Sequence, residues 1–207
     1  ERGLITTELG EVGGVWQWDL ADLEQKILQS PKKARLLLLC NPHNPVGRVW
    51  TRDELEQILE LVIRYDLWVC SDEIHCDLVL DQRCKHIPFA SLNAEAAKRT
   101  LTLMAPSKTY NIAGLNCAFA ITSNPEIRTK LAKIMHGLFS DINIFGIAAC
   151  QAALTQGGAW RGELLDYLRA NRDLVLSELA NLAGLKVTIP EATYLAWIDG
   201  RELCAKY

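Results

Sequence analysis

The sequence lacks any long apolar run free of charge, which excludes a membrane-spanning helix and leaves no membrane partner to expect. It lacks a surplus of positive charge as well: 22 Lys and Arg stand against 25 Asp and Glu, for a net charge of −3. No Lys/Arg block interleaves with stacking aromatics, so a nucleic-acid partner is not expected either. Gly (13) and Pro (7) are too few for a collagen-like chain, and an apolar share of 49% excludes disorder. The 7 cysteines form an odd set with no C-x-x-C, which fits neither a disulfide framework nor a paired-cysteine zinc site. Cys40, Cys70 and Cys117 lie inside apolar runs, where a thiol behaves as a small hydrophobe. With no basic-then-apolar leader ahead of the first elements, a reducing, cytoplasmic location is the expectation.

What is present is 207 residues, about one to one and a half ordinary domains. Arg35–Cys40, Leu67–Ser71, Thr100–Ala105 and Cys117–Thr122 have the length and residue types of buried strands. Their near-continuous hydrophobicity predicts a sheet covered on both faces. Between the first two, Thr51 and Glu54 form a capping box, and Leu55, Ile58, Leu59, Val62 and Ile63 recur on one helical face. Strand, helix, strand predicts a βαβ unit with parallel strands. The fold class expected is therefore α/β, a three-layer αβα arrangement around a mostly parallel sheet.

The second half reads differently. Asn124-Pro125 is an N-cap followed by Pro at the first helical position, a second apolar helix runs from about Ile144 to Leu154, and a longer one covers Trp160–Leu182 with Gly184 as its C-cap. Lys186–Ile189 and Tyr194–Ile198 read as strands separated by a Pro190-Glu191 turn. Residues 1–158 are assigned to a large domain, and 159–207 to an interdomain helix and the start of a small α+β domain.

Ligands of open α/β sheets bind at the carboxyl ends of the strands. The first strand is followed by Asn41-Pro42-His43-Asn44-Pro45-Val46-Gly47, the second ends in Ser71-Asp72-Glu73-Ile74-His75, and Pro106-Ser107-Lys108-Thr109-Tyr110 follows the third. An amide-rich turn, an acidic cluster and a lysine thus converge on one crevice. NPHNPVG, SDEIHCDL and APSKTYNIAGL, in that order, resemble the large domain of a fold-type I pyridoxal-phosphate enzyme of the aminotransferase class I/II superfamily. The nearest likeness is to the MalY/PatB-type carbon–sulfur β-lyases, over nearly the whole chain.

That resemblance implies pyridoxal 5′-phosphate as cofactor and Lys108 as the catalytic residue that bonds its aldehyde. It implies Asp72 at the ring nitrogen, Asn44 and His75 at the ring 3′-oxygen, and Ser107 at the phosphate. It implies cleavage of cystathionine or other cysteine-type amino acids to a thiol, pyruvate and ammonia, in a homodimer whose interface includes His136–Gly146. Ala105 stands where a serine is common, and Asn116 where transaminases usually carry a phosphate-binding arginine; asparagine there is tolerated among the lyases, which favours lyase over transaminase. The phosphate-cradling helix of the family would precede Glu1 and its carboxylate-binding arginine would follow Tyr207, so the resemblance is to a central fragment. The alternatives are an aminotransferase and a non-catalytic segment.

Elementary chemistry supports the roles. An amine in a partly desolvated pocket is an available nucleophile. A carboxylate closing a buried strand needs a cation, such as a protonated pyridine nitrogen, to meet it. Blander readings stand beside these: Asp72 as a turn-capping group, Asn44 as turn chemistry within a candidate cis Asn44–Pro45 bond, His75 as a locally satisfied imidazole, and Glu73 as a structural carboxylate. A metal site from His43, His75, Cys76 and Asp77 is disfavoured because neighbours on an extended chain point to opposite faces.

Overall fold

The computed structural model describes residues 3–137 and 142–205. The chain opens on an antiparallel hairpin, β1 (Leu9–Val12) and β2 (Val15–Trp18). Gly13 and Gly14 join them with φ of 60° and 83°, the positive values that a two-residue hairpin turn demands. Helix α1 (Leu20–Gln29) follows, its N-cap Asp19 accepting from the Asp22 N–H at 2.8 Å. The sequence reading had assigned neither element.

The central sheet is built from β3 (Leu36–Cys40), β4 (Trp68–Asp72), β5 (Thr100–Met104) and β6 (Phe119–Ile121), in that spatial order. The first three are parallel and β6 is antiparallel to β5, so the sheet is mostly parallel and the fold is α/β as expected. Helix α2 (Arg52–Arg64) connects β3 to β4, and its capping box is complete. The Glu54 N–H donates to Thr51 Oγ1 at 3.3 Å, and the Thr51 N–H donates to Glu54 Oε2 at 2.8 Å. Leu55, Ile58, Leu59 and Val62 bury against Leu39, Val69, Trp50 and Phe89. Each such aliphatic side chain contributes about 1.5–3 kcal/mol when fully buried. Ile63, expected on the same face, is exposed. A single 3₁₀ turn at Phe89–Ser91 and helix α3 (Ala94–Arg99) lead into β5.

One face of the sheet is much the better packed among the described residues. Leu37, Leu39, Val69, Ser71, Thr100 and Thr102 turn toward α2 and Phe89, and all are buried or half-buried. On the opposite face Leu36, Leu38, Trp68 and Leu103 are exposed at 54%, 64%, 39% and 36%. The expectation of two covered faces therefore holds in full on one side alone within this chain.

After β6 come α4 (Pro125–Met135), α5 (Ile144–Gln156), α6 (Gly158–Leu179), β7 (Lys186–Val187), β8 (Ile198–Asp199) and α7 (Arg201–Cys204). Asn124 caps α4 by accepting from the Glu126 and Ile127 N–H groups at 2.9 and 3.3 Å. Helix α6 stops at Leu179, and Gly184, at φ 85°, lies in the turn beyond it rather than capping it.

The strand expected at Tyr194–Ile198 is displaced to β8, because the residues before it are held elsewhere. The Glu191 and Ala192 N–H groups both donate to the Gly47 carbonyl at 2.9 Å, and the Thr193 N–H donates to Leu78 O at 2.9 Å. The Leu80 and Asp81 N–H groups reach Glu191 O at 2.8 and 2.9 Å. Residues 190–193 thus form a strap threaded between the turn after β3 and the loop after β4.

Arg48 secures this strap. Its Nη1 donates to both Glu191 carboxylate oxygens at 2.9 Å, its Nη2 to Glu54 Oε1 at 2.5 Å and its Nε to Trp16 O at 2.8 Å. The guanidinium lies 5.0 Å from the Trp50 ring centroid, within cation–π range.

Candidate active site

The three parallel strands end in line. Cys40 pairs with Asp72, and Asp72 with Leu103. Backbone bonds continue past the strands, from the Asn41 N–H to Asp72 O and from the Glu73 N–H to Leu103 O, each 3.0 Å. The turn after β3, the loop after β4 and the turn after β5 consequently leave from one edge. Asn44, Asp72, His75, Ser107 and Lys108 stand on these segments.

The first turn is held from within. The His43 N–H donates to Arg48 O and the Gly47 N–H to His43 O, both at 2.7 Å. The Asn44 N–H donates to Cys40 Sγ at 3.4 Å, and that thiol donates to Pro42 O at the same distance. Both Asn41–Pro42 and Asn44–Pro45 are cis, and the Asn44 side chain is exposed.

Asp72 is exposed rather than closing a buried pocket, and its Oδ1 accepts from the Ile74 N–H at 3.1 Å. The turn-capping role anticipated as its bland reading is therefore present, and it occupies one carboxylate oxygen. Glu73 is the buried one of the pair. It accepts from Ser71 Oγ at 2.8 Å and from the Phe89 N–H at 3.1 Å, and it meets His86 Nε2 at 2.9 Å, a structural carboxylate as read from the sequence.

Lys108 and Ser107 lie in a compact turn in which the Tyr110 N–H donates to Pro106 O at 2.9 Å and the Ile112 N–H to Ser107 O at 3.1 Å. Ser107 is half-buried, but Lys108 is exposed, which corrects the expected desolvated pocket. The expectation drew on the apolarity of the strand, whereas the lysine sits in the turn beyond it.

His75 is buried, at 3% exposure, and its Nδ1 has no hydrogen-bond partner among the described residues. Burial lowers its pKa from the usual 6.5, while the charge of Asp72 pulls it up and that of Lys108 pulls it further down. Asp72 and Lys108 are thus the two charged groups that act on the imidazole, with opposite sign. Its ring and that of Tyr194 form a T-shaped pair, with centroids 5.7 Å apart and planes at 75°. Sequence reading treated Tyr194 as a strand residue and Cys40 as a packing thiol; no local pattern reveals either contact, since both depend on how distant segments meet.

Cys76, once weighed as a metal ligand, has its thiol pushed up to about 12 by burial, and Asp77 pairs with Arg161. Among the described residues no three His, Cys, Asp or Glu side chains are grouped to hold a metal ion.

Burial holds both His75 and His43 below the ordinary histidine value of 6.5. Between those lowered values and 6.5 the unfolded chain binds protons that the folded chain does not, so stability rises with pH in that window. The urea midpoint is expected to fall between about pH 7 and about pH 5.5, and replacing both histidines by Gln is expected to flatten this slope. A midpoint that climbs on acidification in the unaltered protein would contradict the assignment.

The segments that carry Asn44, Asp72, His75, Ser107 and Lys108 leave from the carboxyl edge of a mostly parallel sheet, the edge at which open α/β proteins bind their ligands. The chain belongs to the aminotransferase class I and II family, whose model matches residues 11–207. It is 39% identical over 200 residues to cystathionine beta-lyase PatB of Bacillus subtilis, covering 96% of this chain and 51% of that protein. Among solved structures it is similar to OvoB, at 46% identity and a TM-score of 0.90, over 95% of this chain and 51% of the other. It is also similar to cystalysin of Treponema denticola, which contains a pyridoxal 5′-phosphate cofactor, at 37% identity and a TM-score of 0.88, over 95% of this chain and 50% of that one. The chain thus spans about half the length of the relatives it matches.

Proposed function

We propose that this chain is the central part of a pyridoxal-phosphate-dependent carbon–sulfur β-lyase that releases a thiol, pyruvate and ammonia from cystathionine or related cysteine-type amino acids. The observation that carries the reading is that the segments bearing Asn44, Asp72 with His75, and Ser107 with Lys108 all leave the carboxyl edge of one mostly parallel sheet in a chain of the aminotransferase class I and II family. The donor set fits the cofactor: an exposed amine for its aldehyde, a carboxylate for its ring nitrogen, and a buried imidazole nitrogen in want of a hydrogen bond.

Lys108 would hold the cofactor through its Nζ, and the same atom, when free, would be the base that takes the Cα proton. Asp72 would face the ring nitrogen, keeping positive charge there. Asn44 and His75 would face the 3′-oxygen and Ser107 the phosphate. The bound cofactor supplies an electron sink for charge developing at Cα. Asn116, in the left-handed region at φ 50°, and Ala105 offer no cationic or hydroxyl group to the phosphate, in keeping with the lyase reading over the transaminase one.

A homodimer accords with α5, where Ile144, Phe145, Ile147 and Leu154 are exposed on a helix with little polar surface. Part of the His136–Gly146 stretch assigned to this interface, residues 138–141, lies outside the described residues.

Adding pyridoxal phosphate to the full-length protein is expected to give a yellow species absorbing at about 410–430 nm that borohydride bleaches. Digestion should then find the added mass on the peptide containing Lys108. A colourless protein, or mass on a different lysine, would overturn the proposal.

A further inference from the structure

We propose that Tyr194 is a positioning residue: its ring, delivered by the left-handed Thr193, holds the buried imidazole of His75 so that the unpartnered nitrogen meets a ligand at the carboxyl edge of the sheet. This rests on the cofactor reading above for the identity of that ligand.

The strongest sign is in the backbone. Thr193 has φ 72° and is fully buried. A β-branched residue rarely adopts that conformation, and such strain persists only where the surroundings over-determine it. Here they do. The Thr193 N–H is fixed on Leu78 O at 2.9 Å, its Oγ1 accepts from the Leu195 N–H at 3.2 Å, and Ala192 bridges Val79. In an extended strand successive side chains alternate sides, so the left-handed residue resets the direction in which the next one leaves. Tyr194 leaves toward His75.

The imidazole has a use for that contact. A buried ring nitrogen without a protein partner is a liability in an isolated chain and an asset when a ligand supplies the missing bond. Asp72, from the end of β4, and Lys108, from the turn after β5, are the charged groups that act on it. Just past the strap, Tyr194 meets it in a T-shaped ring pair, a geometry that favours one imidazole rotation over others.

The test uses the full-length protein with Tyr194→Phe and Tyr194→Ala. Tyr194 is half-exposed, so neither change threatens the fold. His75 is titrated by imidazole NMR without cofactor, and pyridoxal-phosphate affinity is measured separately. Tyr194→Phe should leave both unchanged within about twofold, whereas Tyr194→Ala should move the His75 titration up toward the ordinary histidine range and weaken cofactor retention about tenfold. An alanine variant matching the unaltered protein in both readouts would overturn the proposal, and so would a phenylalanine variant as impaired as the alanine one, since the hydroxyl would then be the acting group. If no form takes up pyridoxal phosphate, the cofactor reading fails, and the titration alone decides whether Tyr194 holds His75.

Discussion

Lys108→Ala in the cofactor-supplied full-length protein is expected to lose the borohydride-sensitive band and to slow pyruvate release from cystathionine by about a thousandfold or more, since one amine serves as both attachment point and base. The loss is separable from unfolding. Lys108 is exposed and makes no salt bridge or side-chain hydrogen bond among the described residues, so its truncation should change stability by under about 0.5 kcal/mol. Circular dichroism and the urea midpoint should therefore match the unaltered protein. The assay is run without any keto-acid acceptor, which separates lyase from transaminase chemistry. Pyruvate formation persisting at near-normal rate in this variant would remove the lysine from the mechanism.

Gly47→Ala is expected to cost stability on the order of 2–4 kcal/mol, combining left-handed strain with overpacking. Gly47 has φ 73°, and a Cβ there would stand 2.6 Å from Pro190 Cβ and 2.8 Å from Ala192 O. One of those atoms is backbone, so a rotamer change cannot relieve the contact. The strap must lift, and with it the two hydrogen bonds that Gly47 O accepts from Glu191 and Ala192. Denaturant unfolding reads the change directly. A shift below about 1 kcal/mol would mean that the strap moves aside freely, contrary to its network of backbone bonds.

What the sequence disclosed followed the range of the interactions involved. The Thr51–Glu54 box and the Asn124-Pro125 start were legible because cap and partner lie within one turn of each other. The parallel β3–α2–β4 unit was legible from apolar runs around a periodic helix. The hairpin of β1 and β2 carries a local signal too, Gly13-Gly14 between two short apolar stretches.

Glu191 was different in kind. Its neighbour Pro190 marked a turn correctly enough, but its carboxylate accepts from Arg48 and from the Val49 N–H at 2.7 Å, across most of the chain. Nothing in a window around position 191 encodes that. The candidate site divides along the same line: Asn44, Asp72, Ser107 and Lys108 are legible as candidates because each lies at or just past a strand end, whereas Tyr194 reaches His75 only through the folded strap. The exposure of Asp72 and Lys108 was misjudged because apolar strands signal burial without saying which flanking turn shares it.

Arg48 sets a limit on what counts as a conservative replacement. Its planar fork binds a hairpin carbonyl, a helix-capping glutamate and the strap glutamate at once, uniting three stretches that no short peptide would contain together. Lysine would preserve the positive sign yet offer a single nitrogen on a flexible stem, too few directed donors for partners on separate sides. At this position geometry, and not valence, is what inheritance has to transmit.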